Sequence, residues 1–383
     1  MPTLTRLQTL VFGLVILALG AGALLRVELP APPAAARDWL QGGAARDFER
    51  HYDAAIPTRD FGTNLWAALE YRLFGEGRRD LVVGRDGWLF SAEEFDTHPQ
   101  AGAEIARRLA LIGWVRTQLQ ERGAALLVAP LPAKIRLYPE QLDPNRRSPA
   151  ALRAGLYGQL LADLARRGIP AADLHAALAA CRARGDEVFL RTDTHWTPQG
   201  ADCAARALVA TARRRGLAAP DAGDGNPYRT EVENPAAAHS GDLFRFLPLA
   251  PHFENWLPAP EAYEQRRTRR AASGGGGLLD ETPVPEIVLV GTSYSADARW
   301  NFTGALQQAF GEDVLSHAVD GRGPFLPMLD YLADAGARTA PPRLVIWEIP
   351  ERYLPAPVDL RDRGLPAALL PPDSLPTLTR SPS

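Results

Sequence analysis

Along this chain, short runs of apolar, often β-branched residues alternate with longer stretches in which apolar positions recur every three or four residues. Ala125-Leu126-Leu127-Val128-Ala129-Pro130, Ile287-Val288-Leu289-Val290, Val314 to Val319 and Leu344-Val345-Ile346-Trp347-Glu348-Ile349 read as buried strands, with a shorter one over Ile169–Leu174. Ile105, Leu109, Ile112, Val115 and Leu119 fall at helical spacing before Gly123. Further helices are predicted over Ala150 to Arg167, about Gln199 to Arg215, around Gly304 to Phe310 and around Leu326 to Ala333. Pro198 suits a first-turn position and ties the segment before it to a helix start. Strand and helix in alternation predict a parallel sheet covered on both faces, a three-layer α/β/α sandwich. Asp86-Gly87 between Leu81-Val82-Val83 and Trp88-Leu89-Phe90 predicts a hairpin where this domain begins.

The flanks break the pattern. Leu7 to Leu25 is an uncharged, largely apolar run which as a helix would be roughly 28 Å long, close to the thickness of a bilayer core. Arg6 precedes it, whereas Arg26 is offset by Glu28, so the N-terminus is expected in the cytoplasm and the bulk of the chain outside. Ala21-Gly22-Ala23 offers the competing reading of a cleaved signal peptide, but the run is longer than a usual h-region, which favours an uncleaved anchor. Both readings export the domain. The expected organisation is an anchor over 1–26, a spacer and helical region over 27–80, a catalytic domain over 81–355 and a Pro-rich tail over 356–383. Trp39, Phe48, Phe61, Trp66 and Tyr71 are the buried-side candidates of the second region. Within the domain, residues 217–285 look irregular, rich in Pro, Asn, Gly and aromatics and ending in Gly274-Gly275-Gly276-Gly277, and read as a long insertion.

At 383 residues and 46% hydrophobic the chain can bury a sizeable core, and a net charge of −3 with dispersed arginines excludes a nucleic-acid footprint. The two cysteines, Cys181 and Cys203, bracket the segment around residue 193. In an oxidising compartment they can close a loop worth roughly 3 kcal/mol; two buried thiols are the equal alternative.

The chemistry gathers in two places. In Asp193-Thr194-His195 the carboxylate and imidazole are close enough to hydrogen-bond, which fixes the imidazole tautomer for a general base. Gly291-Thr292-Ser293-Tyr294-Ser295 follows a predicted strand, where a hydroxyl emerges at the sheet edge; Ser293 is the candidate nucleophile and Ser295 its competitor. No further His or Cys falls at metal spacing near Asp193 and His195, so no metal or cofactor is expected. Backbone N–H groups after Ser293, with Arg299 or Asn301, are candidates for oxyanion and substrate contacts, as are Tyr294 beside the serine and Trp196, which packs under the loop or stacks on a sugar ring. Lys134 follows the C-terminal end of a strand, where α/β ligands bind. His239, His252 and His317 show no partner signal and read as structural. If the insertion lines the groove, Phe244, Phe246, Phe253 and Trp256 would read the acceptor.

Taken together, Asp-Thr-His-Trp-Thr-Pro-x-Gly-Ala, Gly-Thr-Ser-Tyr-Ser with Trp-Asn-Phe, Gly-x-Gly-Pro-Phe and Ile-Trp-Glu-Ile-Pro-Glu-Arg-Tyr resemble the alginate O-acetyltransferases, SGNH-hydrolase-like periplasmic proteins of exopolysaccharide acetylation. The resemblance covers about Leu81 to Leu354. It implies a flavodoxin-like α/β/α sandwich with circularly permuted motif order, the Asp/His pair preceding the serine. It also implies Ser293 as nucleophile, His195 as base and Asp193 as orienting carboxylate. The expected reaction moves an acetyl group through acetyl-serine onto a polysaccharide hydroxyl, the acetyl arriving from a membrane-bound O-acyltransferase partner at the inner membrane. An acetylesterase with the same triad, or a non-catalytic polysaccharide-binding scaffold of an export complex, are the alternatives.

Overall fold

The computed structural model describes residues 2–28, 36–56, 58–96, 99–142, 155–219, 225–271 and 284–370. The chain divides into two compact units, Met1–Arg78 with Arg245–Pro258, and Arg79–Phe244 with Ala259–Ser383. The expected spacer from Pro30, the glycine run at 274–277 and residues 371–383 of the Pro-rich tail lie outside the described residues.

The first unit contains α1 (Pro2–Leu24), α2 (Gly43–Ala55) and α3 (Arg59–Leu69). Side chains of α1 are described from Leu10, so the expected span over Leu7–Leu25 lies partly outside them; among the described residues no helix is long and apolar enough to cross a membrane. The buried-side expectation fails here. Trp39 is 57% and Trp66 62% exposed, Phe48 and Phe61 are exposed, and Tyr71 is half-buried. Short helices without a sheet beneath them offer one another only narrow faces, and α3 buries only Asn64 and Ala68. Part of the supposed insertion belongs to this unit: Asn64 donates to the Pro248 carbonyl at 2.6 Å, and Phe61 packs on His252 and Phe253. Phe253 in turn packs on Trp256, so these two aromatics are committed to this unit's own packing.

The second unit opens with the predicted hairpin, β1 (Leu81–Val83) and β2 (Leu89–Ser91), paired antiparallel. Asp86 and Gly87 at its tip take φ of 51° and 78°, the left-handed pair that an Asp-Gly turn supplies. There follow α4 (Ala101–Glu121), β3 (Ala125–Leu131), α5 (Leu156–Arg166), α6 (Leu174–Ala183) and α7 (Pro198–Arg214). Next come β4 (Tyr228–His239), β5 (Glu261–Arg270), β6 (Ile287–Val290), α8 (Phe302–Phe310), β7 (Val314–Ser316), α9 (Phe325–Ala333) and β8 (Leu344–Pro350). Strands β3, β8, β6 and β7 lie in that order in one parallel sheet.

Alternation along these strands divides the core. Leu127, Ala129, Leu131, Ile287, Leu289, Leu344 and Ile346 pack against α6, α7 and α8 on one face. Leu126, Val128, Val288, Val290, Val345, Trp347 and Ile349 meet α4, α5 and α9 on the other. This is the expected three-layer sandwich, with near-continuous apolar strands because both sheet faces are covered. Two expectations change. Ile169–Leu174 contributes only an isolated bridge, Ala171 to Val128, since Pro170 lacks an N–H to continue a ladder. Within 217–285 the described residues are not irregular throughout: β4 and β5 pair antiparallel, with register shifts between Val232 and Asn234 and between Asn234 and Ala237. Pro235 sits in that irregularity, and the ladder shows little apolar alternation because most of β4 is exposed.

Cys181 on α6 and Cys203 on α7 are joined by a disulfide, with Cα atoms 6.6 Å apart. The bond clamps the two helices that flank the Asp193/His195 loop. Replacing both cysteines by Ala should lower unfolding stability by about 3 kcal/mol. Denaturant unfolding of oxidised wild type and the double variant checks this; equal midpoints would show that the bridge adds nothing.

Candidate active site

The serine turn is built from a buried acid. β6 ends at Val290, and Thr292 caps a one-turn helix over Ser293–Ala296. Glu348, fully buried on β8, accepts the Thr292 N–H at 2.7 Å, the Thr292 hydroxyl at 3.0 Å and the Ser295 hydroxyl at 3.0 Å. Burial pushes the Glu348 carboxyl up, opposed by these hydrogen bonds. Ser295 is thereby occupied and buried, which leaves Ser293, half-buried, as the reachable hydroxyl. Gly291 must be glycine because a Cβ there would lie 2.5 Å from a Glu348 oxygen. Sequence reasoning passed over Glu348, although a lone acid inside an apolar strand is a signal for a buried, hydrogen-bonded carboxylate.

The Asp193/His195 loop faces this turn. His195 Nε2 lies 2.8 Å from Ser293 Oγ, and His195 Nδ1 lies 2.6 Å from Asp193 Oδ1, which also accepts the His195 backbone N–H at 2.9 Å. Asp193 Oδ2 accepts His239 Nε2 at 2.7 Å and the Asp242 backbone N–H at 3.0 Å. Burial alone would raise the Asp193 carboxyl, but the hydrogen bonds from His195 and His239 outweigh it and hold it well below the usual carboxylate range. An ionised carboxylate accepting from Nδ1 leaves Nε2 of His195 with its lone pair toward the serine. His239, carried by the β4–β5 hairpin whose pairing the sequence pattern concealed, therefore has a partner after all in Asp193.

Each neighbouring residue of the loop is tied down in turn. Glu261 on β5 accepts the backbone N–H groups of Arg191 at 2.6 Å and Thr192 at 2.8 Å. Asp242 accepts the Thr194 N–H at 2.8 Å. From below, Lys134 Nζ donates to the carbonyls of Leu190, Arg191 and Asp193 at 3.0, 3.2 and 2.7 Å. Its buried ammonium also lies over the rings of Trp88 and Phe90. Burial lowers its pKa to about 8, opposed by Glu94 and Asp193, so near pH 7 it still carries three donors for three carbonyls.

Three expected substrate contacts are therefore corrected. Lys134 is buried and spent on the loop. Trp196 is fully buried, with Nε1 donating to the Tyr294 carbonyl at 3.2 Å. Tyr294 is buried, donates to the Thr194 carbonyl at 2.7 Å and accepts from Arg352 at 2.9 Å. Asn301, half-buried, gives one amide N–H and its Oδ1 to Thr268 of β5, at 3.0 and 3.3 Å, which leaves the second N–H for another acceptor. For Lys134, Trp196 and Tyr294 an apolar or compact neighbourhood required the polar atoms to bond internally. Arg299 differs: its side chain is half exposed, paired with Asp297 and lying over Trp300, whose ring stacks on His195 at 5.4 Å. Asp193, His195 and Asp242 also bring ligand-type atoms within 4.8 Å of one another, but these atoms are engaged in the hydrogen bonds above.

Known proteins share this arrangement of chain. A family model described as an SGNH hydrolase-like domain, acetyltransferase AlgX, matches residues 81–351. A probable alginate O-acetylase AlgJ of Azotobacter vinelandii is 49% identical over 326 residues, 84% of this chain and 82% of that protein. Its namesake in Pseudomonas aeruginosa is 46% identical over 329 residues, again 84% of this chain and 82% of that one. The solved O-acetyltransferase domain of Pseudomonas putida AlgJ superposes with a TM-score of 0.65 at 46% identity, covering 73% of this chain and 94% of that domain. With its parallel sheet, its serine at the end of β6 and the Asp/His loop before it in sequence, the chain belongs to the SGNH-hydrolase-like acetyltransferase family.

Proposed function

We propose that this protein transfers acetyl groups onto hydroxyls of alginate, with Ser293 as nucleophile, His195 as general base and Asp193 as the carboxylate that orients it. The observation that carries this reading is the unbroken run of hydrogen bonds from Asp193 through His195 to Ser293, at 2.6 and 2.8 Å. His195 Nε2 takes the Ser293 proton as Oγ attacks the acetyl carbonyl, and the donor's leaving oxygen or sulfur departs with that proton. A sugar hydroxyl then attacks acetyl-serine; His195 accepts the hydroxyl proton and returns it to Ser293 Oγ as the ester is released on the polymer. Through both steps Asp193 stays ionised and stabilises the imidazolium. The half-exposed Arg299, close enough for its guanidinium to feel the Asp193 charge, is the residue proposed to meet an anionic acceptor.

The proposed setting is the periplasmic side of the inner membrane, with α1 as anchor and a membrane-bound O-acyltransferase supplying the acetyl group. Support comes from the apolar run Leu7–Leu25 and from side chains on α1 that find no core, Leu10, Phe12 and Leu17 among them.

Three outcomes are expected. With a soluble acetyl ester and oligomannuronate, mass spectrometry should show acetylated sugar for wild type and a fall of at least 10³-fold for Ser293→Ala; undiminished transfer by the variant rejects the assignment, and free acetate alone marks an esterase. Arg299→Ala should raise KM for oligomannuronate about tenfold while kcat stays within twofold, as removal of a contact made equally in ground and transition states requires; an unchanged KM removes Arg299 from acceptor binding. A chain lacking residues 1–26 should match the full chain on the soluble ester but no longer sediment with membranes or acetylate polymer in cells, whereas membrane sedimentation of the truncated chain would overturn the anchor.

A further inference from the structure

Four donors converge on one carboxylate, and the one that comes from furthest along the chain with an ionisable ring is His239. We propose that His239 is a positioning residue for acyl transfer: by holding the second oxygen of Asp193 it sets both the pose and the proton affinity of His195. This rests on the reading of Ser293 and His195 as nucleophile and base.

The geometry carries it. His239 closes β4, is buried, and places Nε2 2.7 Å from Asp193 Oδ2. A carboxylate only accepts, so Nε2 bears the hydrogen and the Nε2–H tautomer is fixed. The ring is held edge-on by Tyr263 at 5.8 Å and Trp300 at 5.6 Å, and Trp300 stacks on His195 at 5.4 Å. One indole thus registers both imidazoles against the same carboxylate. The Asp242 N–H already serves Oδ2 at 3.0 Å, so solvation of that oxygen does not depend on His239 alone. What the second imidazole adds is a donor whose pull on the carboxylate competes with His195.

The direction of the effect follows. Each N–H donated to Oδ2 draws negative charge from the oxygen that faces His195. Removing the His239 donor leaves more charge on Oδ1, favours the His195 imidazolium and raises the pH at which His195 becomes a free base. The charged and titratable groups around His239 are Asp193 and Asp242 on the loop side, Tyr263 on β5 and His195 across Trp300, while Lys134 and Arg299 act on Asp193 from further away. Substitution of His239 leaves all of these in place, so the shift reports the lost hydrogen bond.

The test is steady-state kinetics with a soluble acetyl ester and oligomannuronate across pH, for wild type, His239→Leu, His239→Gln and, in parallel, Ser293→Ala. The Leu variant should lose about tenfold to a hundredfold in kcat, part of the ~10⁴-fold that a misplaced triad imidazole costs, with KM within twofold. The acid limb of kcat/KM should move up by about half to one pH unit. Gln, whose amide nitrogen reaches the position of Nε2, should restore most of kcat and return the limb. Should the Leu variant fail to fold, His239→Asn takes its place, with an amide too short to reach Asp193 and the same expected losses. Wild-type kcat and limb in the Leu or Asn variant, with Ser293→Ala inactive, overturn the proposal alone. Equal losses in Leu and Gln with an unmoved limb also overturn it, as the signature of a packing role. Retained transfer by Ser293→Ala overturns the underlying reading and this proposal with it.

Discussion

Everything at the site depends on one buried negative charge. Asp193 is almost fully removed from solvent, and an isolated carboxylate there would be neutral rather than ionised. Four N–H groups keep it charged: two from His195, one from His239 and one from the Asp242 backbone. Charge-assisted hydrogen bonds of this kind contribute about 1.5–3 kcal/mol each, enough together to offset burial. The resulting ion gives His195 its orientation, and His195 in turn gives Ser293 a proton acceptor. Without those donors the three residues would lack an ionised carboxylate to orient the imidazole.

Holding the ion in place uses the whole second unit. The loop from Leu190 to Thr194 has no regular secondary structure to satisfy its backbone, and a buried loop must satisfy it elsewhere. Lys134 takes carbonyls from beneath while Glu261 and Asp242 take N–H groups from the hairpin side. The serine turn is supported in the same manner by Glu348. Three acids, Glu348 fully buried and Glu261 and Asp242 half-buried, together with the buried Lys134 ammonium make a rigid seat for two segments that must meet within hydrogen-bond distance. A side chain such as Tyr294, buried between the serine turn and Thr194, ties those two seats to each other.

The sheet explains why the two segments meet at all. Ser293 follows the C-terminal end of β6, and Glu348 lies near the end of β8, which pairs with β6 in register. In parallel sheets those ends gather on one edge, where chains leave the sheet and ligands bind. Acetyl transfer needs an exposed hydroxyl beside an oriented imidazole, and this edge lets rigid strands present loops that differ freely in sequence.

Much of the scaffold was legible in the chain, because a covered parallel sheet writes itself as apolar runs and its helices as a 3.6-residue period: β3, β6 and β8 and the helices α4, α5, α7, α8 and α9 fall where the pattern puts them, whereas α6 is not among the predicted helices. Asp193, His195 and Ser293, which the fold brings within hydrogen-bond distance of one another, were also legible as candidates from residue type and local motif. Roles that depend on partners distant in sequence were not. His239 carries no local signal, and its partner lies 46 residues away, reached only through a largely exposed strand pair without apolar alternation. Lys134, Trp196 and Tyr294 have residue types that suit substrate contact, yet burial committed each to an internal hydrogen bond. Sequence by itself determined the layers and the candidate reacting groups, which follow from periodicity and functional-group chemistry. Only the tertiary structure decided which polar side chains face solvent and which hold the site together, because that depends on what packing leaves beside them.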